Sequence, residues 1–510
     1  MSRRVTVWTG ALLAVVLAAA VFSRFGIDAE LRRDEAIYAY AGQQLAEGVP
    51  PYVSILDPKT PLATVLAGGA VAVGRGLGVD DLHAIRLAFF VVACLSVLAV
   101  YLAGTFLFDS PLAGLLGAAT FSAFRGFALD ALGGPNAKTP GVLFAALATA
   151  LLARHHWFWG GFAGSLAGLV WQPLAVYAPV AIAAAWLASD ADRRWRHTVA
   201  ALAGATMPVA ATFAYFLAAG AFAEFWEGAV LLPVSGTQRE AGTFSEHLQH
   251  VVDAVRSGYG ASRFAFWAGL AALVVLIVLR VWEGRGDLRR LGRDPLVCVV
   301  LPPLALLTAF SLIDFQGYPD LYPFLPYAAL GVAGVAAAGL AHVSDAPWRG
   351  AARVAAGLAV FTVVVAAWFW YSTVPEVGGR RLPRQRAMVD RLERTFGSAA
   401  TLYALGDPTP LVLLQRANPS RYIYLAAGVD RWVVAHLPGG FAGWTAGIVD
   451  SHPDVILTDG WAGELAGATR SWLREQYREV RIGDYTAFVP RAPIDAAGRL
   501  GSAELLWYGP

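Results

Sequence analysis

Long apolar runs recur along the whole chain, and they constrain the fold more than any other feature. A run of about 17–25 apolar residues is long enough to cross a bilayer as a helix. Such runs lie near 6–25, 61–78, 84–107, 111–129, 139–153, 157–172, 173–189, 197–222, 263–282, 294–313, 321–342 and 350–373. The composition agrees, with 57% hydrophobic and 15% charged residues and a mean hydropathy of +0.53. Soluble chains lie near 45–50% and 25%. These values exclude a disordered chain, a coiled coil and a collagen. A net charge of +2 excludes a nucleic-acid binder, which needs a strong basic balance. Cys94 and Cys298 are the only cysteines and sit inside apolar runs, so neither a disulfide scaffold nor a Cys-ligated metal site is expected. The expected class is an α-helical polytopic membrane protein.

Sidedness follows from the basic loops. The first run follows Arg3 and Arg4 and lacks a small-residue cleavage site after it, so it reads as a retained anchor with the N-terminus in the cytoplasm. If 61–78 crossed the membrane, the loop Arg193-Arg194-Trp195-Arg196 would fall outside, as would Arg285, Arg289, Arg290 and Arg293. If 61–78 only enters the interface, both loops fall inside, with Arg154 and Arg349. The second choice satisfies every loop. It gives about eleven spans and places the C-terminus outside. The external segments are then 26–83, 129–138, the turn at Gln172, 223–262, 314–320 and 374–510. Two domains are expected: 1–373, transmembrane with catalytic external loops, and 374–510, an extracytoplasmic soluble α/β domain. In the latter, Thr401–Gly406, Tyr422–Leu425, Val455–Thr458 and Tyr485–Pro490 read as strands. Pro410–Arg416 and Gly463–Glu479 read as helices. No nucleotide-binding glycine loop is present in the sequence.

The polar clusters gather on the expected external side. The first external loop carries Arg32-Arg33-Asp34-Glu35 and then Tyr38. Acidic residues just after a span are costly unless paired or used. The plain alternative is a solvated helix start with Asp34 as the N-cap. Of 39 basic residues only Lys59 and Lys138 are lysine, within Asp57-Pro58-Lys59-Thr60-Pro61 and Asn136-Ala137-Lys138-Thr139-Pro140. Each stands two residues before a proline that is expected to open a helix. An ammonium beside free N–H groups at a helix start suits an anion such as phosphate. The plain alternatives are interfacial snorkelling and, for Lys138, pairing with Asp130. The segment Asp314-Phe315-Gln316-Gly317-Tyr318-Pro319-Asp320 packs two carboxylates and an amide into one turn, more than an aromatic belt requires. His247 and His250 have ligand spacing on a helix, but a solvated amphipathic face explains them better. No metal site is assigned, and a divalent cation is the one cofactor left open.

The order of these elements resembles a family. A first span is followed by an external Asp-Glu with a Tyr, then Gly48-Val49-Pro50-Pro51 and Lys59-Thr60-Pro61-Leu62. An Asp-bearing second loop and a soluble tail complete the set. This resembles the GT-C membrane glycosyltransferases that use polyprenyl-phosphate sugars, of the protein mannosyltransferase and aminoarabinose transferase type. Trp171-Gln172-Pro173 and the Asp314–Asp320 segment resemble prokaryotic dolichol-phosphate-mannose mannosyltransferases. The resemblance implies Asp34 as the base on the acceptor hydroxyl, Glu35 as its acidic neighbour and Asp130 as a second acidic residue. It implies Lys59, with Lys138 and Arg33, as donor-phosphate ligands. Tyr38, Asp57, Gln172, Asp314, Gln316, Tyr318 and Asp320 are the expected substrate-binding residues. The expected reaction is inverting transfer of a sugar, mannose by this resemblance, from a polyprenyl or dolichyl phosphate. The acceptor would be a glycan, a lipid-linked molecule or a protein at the outer face. The partners are that donor, that acceptor and membrane lipid, without nucleic acid. The rival classes are a transporter or flippase and a non-catalytic scaffold. A transporter commonly keeps ionisable relays inside its spans, whereas here the spans are nearly free of charged residues.

Overall fold

The structure is a computed structural model. It describes residues 3–24, 26–235, 244–342, 350–351, 355, 359, 363 and 381–491 apart from 427, 460, 462 and 484. The expected span 350–373 lies largely outside these residues. The described residues fall into two compact units.

The first unit comprises Met1–Ala29, Lys59–Gly220 and Arg239–Gly379. It is helical. Its main helices begin with α1 (Arg3–Phe22), and α2 belongs to the second unit. They continue with α3 (Leu62–Gly76), α4 (Asp81–Phe108), α5 (Pro111–Ser122), α6 (Arg125–Gly133), α7 (Lys138–Ala153), α8 (Trp157–Val170), α9 (Tyr177–Ala188) and α10 (Arg194–Ala218). Local chemistry sets several ends. Asp80 caps α4 through the N–H of His83 at 3.1 Å, and Ser110 caps α5 through Ala113 N–H at 3.2 Å with Pro111 at the first turn. Among the described residues, Arg4–Phe22, Asp81–Phe108, Arg194–Ala218, Phe244–Gly284 and Tyr318–His342 are long and apolar enough to cross a membrane. The α5–α6 pair, bent by 72°, would be a sixth crossing if it is a single span. Five more apolar helices have 10–17 residues, α3 among them with 15. A full crossing takes about 20.

Helices in lipid approach through small residues, because packing and not water exclusion drives their contact. A Cβ on Gly331 would lie 1.8 Å from the carbonyl oxygen of Gly269, and one on Gly204 would lie 1.9 Å from that of Phe158. Only glycine permits these two crossings. Arg86, fully buried near the start of α4, donates to Ile27 O at 2.5 Å. Nearby, Arg75 grips Asp81 with two bonds of 3.0 Å, and His83 meets Asp28 at 3.1 Å.

The second unit comprises Glu30–Pro58, Ala221–Gln238 and Arg380–Pro510. It therefore unites the first polar loop with the C-terminal segment. That loop folds as α2 (Arg33–Ala46), which buries Ala36, Ile37, Tyr38, Ala39, Tyr40 and Ala41. The C-terminal segment holds a four-stranded sheet of order β1-β2-β4-β3, with β1 Leu402–Ala404, β2 Val455–Leu457, β3 Tyr477–Ile482 and β4 Tyr485–Pro490. β1 and β2 are parallel, and the other pairs are antiparallel. Tyr403, Ile456 and Phe488 from the strands pack with Trp444, Ile448 and Leu473 from the helices. Two expectations need correction. Tyr422–Leu425 is not a strand; Ile423 O accepts one bond, from Gly406 N–H at 2.8 Å. The helix expected to reach Glu479 ends at Gln476, and the next six residues are β3.

Candidate functional site

Two polar clusters hold the candidate residues, one in each unit. The cluster of the second unit is built on the start of α2. The N-cap is Arg32 and makes no side-chain capping bond, which corrects the expectation that Asp34 could cap the helix. Asp34 and Glu35 lie in the first turn, where the helix dipole favours negative charge. Their surroundings differ. Glu35 is buried and accepts from Arg32 Nη2 at 2.5 Å. The side chain of Asp34 is 64% exposed and receives Arg33 Nε at 3.2 Å.

Behind this turn, Tyr38 and Asp57 are buried, and so is Tyr52, whose backbone has a φ of 69°. Burial raises the Tyr38 phenol well above its ordinary pKa, and the negative charges of Asp57 and Asp34 add to the shift. Tyr52 is raised for the same first reason, then by Asp57. Both phenols stay protonated and can donate to an oxygen. Tyr52 packs edge-on against Phe225 at 5.8 Å. Asp407 belongs to the same electrostatic neighbourhood. It follows β1 and accepts from Thr409 N–H at 2.9 Å and Thr409 Oγ1–H at 2.6 Å. Burial raises its pKa, Thr409 and Arg33 oppose the rise, and Asp34 adds to it. Sequence reasoning missed Asp407 and Tyr52. The available signal was local: Asp407-Pro408-Thr409 after a strand is a helix-opening turn.

The cluster of the first unit joins α6, α7 and the segment 314–324. Asp130 is 1% exposed and accepts from Asn136 Nδ2 at 3.1 Å and Tyr322 Oη at 2.6 Å. Asn136 Oδ1 in turn accepts from Lys138 N–H at 2.9 Å. The buried Lys138 ammonium pairs with the buried Asp320 and lies 4.9 Å from the ring centre of Trp171. Asp320 Oδ2 also accepts from Gln316 N–H at 2.7 Å. Tyr318 is half-buried, and its ring meets Tyr259 at 6.2 Å, while its carbonyl accepts from Tyr259 Oη at 3.1 Å. Asp314 is half-buried, Gln316 is exposed, and Gln172 opens the short helix Gln172–Val176. His250 packs edge-on against Phe315 at 5.2 Å.

The two Lys-Thr-Pro sites are not equivalent. Lys138 is the first residue of α7, so Pro140 lies inside that helix and does not start it. Lys59 stands outside α3, whose N-cap is Pro61, and it is half-buried. Its neighbour Thr60 is anchored by a 2.9 Å bond to Gly168 O.

No family model matches the sequence, and no curated protein matches it. Solved structures do. The crystal structure of ArnT from Cupriavidus metallidurans bound to undecaprenyl phosphate aligns with a TM-score of 0.59 at 15% identity, covering 97% of this chain and 99% of that chain. The apo state of the same protein gives 0.58 at 16% identity, over 94% and 98%. The Archaeoglobus fulgidus oligosaccharyltransferase tethered with an acceptor peptide containing the NVT sequon gives 0.53 at 12% identity, over 89% and 69%. At these identities the likeness establishes a fold shared with these structures and nothing more.

Proposed function

We propose that this chain is an integral-membrane glycosyltransferase taking its sugar from a polyprenyl phosphate. The carrying observation is the end-to-end fold likeness to ArnT, whose structure holds undecaprenyl phosphate, combined with an exposed carboxylate in the first turn of α2. In this reading Asp34 takes the proton of an acceptor hydroxyl. The acceptor oxygen then forms a bond to the sugar C1 as the C1–O bond to the lipid phosphate breaks, with inversion. The proton remains on Asp34 and the electron pair leaves with the phosphate. Arg33, bonded to Asp34 at 3.2 Å, orients the carboxylate. Lys59 is the cation for the leaving phosphate, whose charge grows in the transition state. Tyr38 and Asp57 shape the sugar side of the pocket. Lys138, engaged with Asp320, braces the external turn that carries Gln316 and Tyr318. The sugar is mannose and the acceptor is a glycan, a lipid-linked molecule or a protein. The catalytic loops and the α/β domain at 374–510 face the outside.

The test has two parts. Glycans and glycolipids of a deletion strain, read by mass spectrometry, should lack one sugar, and a wild-type gene but not Asp34→Asn should restore it. A reporter active only in the cytoplasm, fused after Pro510, should stay silent. An active reporter, or full restoration by Asp34→Asn, would overturn the respective part.

A further inference from the structure

The carboxylate loop is bonded at several points beyond itself. Its fixed points come from the C-terminal segment of the same unit. Before α2, Gln385 on the helix Arg381–Phe396 reads both backbone groups of Leu31. Its Oε1 accepts from Leu31 N–H at 2.8 Å, and its Nε2 donates to Leu31 O at 2.9 Å. Along α2, Tyr40 Oη accepts from Asn418 N–H at 2.9 Å, and Gln43 Nε2 donates to Val412 O at 3.2 Å. After α2, Leu56 N–H donates to Arg421 O at 2.8 Å, and Arg421 Nη2 reaches Glu227 at 2.7 Å. Asp34 lies between the first two fixed points, three residues after Leu31 and six before Tyr40. Asp57 follows the third.

We propose that the C-terminal segment is the positioning frame of the carboxylate loop, and that Gln385 is its positioning residue for Asp34. The claim rests on the reading of Asp34 as the base. A side-chain amide that both accepts from and donates to one residue fixes that peptide in translation and in rotation, as a neighbouring strand would. The fixed peptide then sets where α2 starts and thus where the first-turn carboxylate stands. Leu31 is itself buried, as is Leu382 one turn before Gln385, so the two chains are packed where the amide bridges them. The exposed pair Arg381–Glu30 at 3.2 Å adds little, since such pairs are weak in water. The frame explains why a soluble tail of this length accompanies a membrane transferase: it supplies the rigidity that an α2 helix of 14 residues lacks alone.

The experiment uses the full-length protein in nanodiscs with undecaprenyl-phosphate mannose as the donor probe. Gln385→Ala should lower kcat about 10- to 100-fold, the size of effect expected of a 1 Å misplacement. Donor KM should stay within about twofold, and the unfolding midpoint should not move. Amide exchange over residues 30–40 should rise about tenfold in the same variant, a readout independent of chemistry. Gln385→Glu keeps the acceptor and loses the donor, so it should fall between the two, and it carries the test if the alanine variant folds poorly. Wild-type kcat, or unchanged exchange over 30–40, would overturn the frame. The Asp34→Asn variant separates the two claims. Full turnover in Asp34→Asn removes the base, whereas an inert Asp34→Asn with a fully active Gln385→Ala removes only the frame.

Discussion

The two polar clusters are made of the same residue types and arranged in opposite ways. In the first unit Asp130, Lys138 and Asp320 are buried, and each side chain meets a fixed partner: Asn136 and Tyr322 for Asp130, Asp320 for Lys138, and Gln316 N–H for Asp320. In the second unit Asp34 is largely exposed and bonded to Arg33, while Glu35 and Asp57 of the same unit are buried. A closed network resists change because removing one member strands another without solvent. An open carboxylate can be replaced without that penalty, so only its chemistry is lost. The difference divides the candidates into groups that hold and groups that act.

The largest effect should come from Asp34. Asp34→Asn should lower kcat about 10²- to 10⁴-fold, the range of a general base, while leaving the unfolding midpoint in place. Asp130→Asn should do the reverse in kind, with a lowered midpoint and turnover per folded molecule largely kept. A stable, inactive Asp130→Asn would erase the contrast.

Next in size is the buried ion pair. Lys138→Ala should cost about 3–5 kcal/mol of stability by leaving Asp320 charged and buried, measured by unfolding in detergent. The double variant Lys138→Met with Asp320→Leu should recover most of that loss, since two apolar groups of similar volume need no partner. If the double variant folds yet no longer binds undecaprenyl phosphate, Lys138 acts as well as holds. Lys59 is the sharper case. Lys59→Ala should reduce kcat/KM for the donor by about 10- to 150-fold, equal to roughly 1.5–3 kcal/mol for a charge-assisted contact. Lys59→Arg should restore part of it, because a planar fork replaces a point charge poorly. Unchanged donor affinity and rate in Lys59→Ala would return it to an interfacial role.

What the sequence revealed follows the range of the forces involved. The apolar helical character of the chain and the strands Leu402–Ala404 and Val455–Leu457 were readable because apolar run length and turn residues act locally. β3 was missed because Arg478-Glu479-Val480-Arg481 continues the charge pattern of the preceding helix, while its pairing to β4 comes from tertiary structure. The likeness of the two Lys-Thr-Pro sites was a sequence likeness only. Asp320 lies 182 residues from Lys138, and nothing near Lys138 announces it. The turn at Asp407 was readable, but its electrostatic neighbours were not, since Arg33 and Asp34 lie at the other end of the chain. Arg86 was overlooked because a single charge hardly changes the hydropathy of a long run, although in the structure it ties α4 to Ile27.

The smallest effect tests the electrostatics of the second cluster. Burial raises the folded-state pKa of Asp407 above its ordinary value. A carboxyl raised in the folded state favours the protonated form there. Its contribution to stability is therefore complete below the ordinary carboxylate pKa and is lost as pH rises through the folded value. Once ionised, Asp407 is a charge in a half-buried site, only partly offset by Thr409 and Arg33. Asp407→Asn keeps an oxygen for Thr409 and removes the charge. Its unfolding midpoint should rise at pH 7 by less than about 1 kcal/mol, the net size of one hydrogen bond. The gain should shrink as pH falls toward 4, where the wild-type carboxyl also becomes neutral. Asp459 is raised by burial too and then by Asp407, so removing the Asp407 charge should also ease that second carboxyl. A gain that is equal at pH 4 and pH 7 would show that the substitution acts through packing, and the contrast between the clusters would then rest on Asp34 alone.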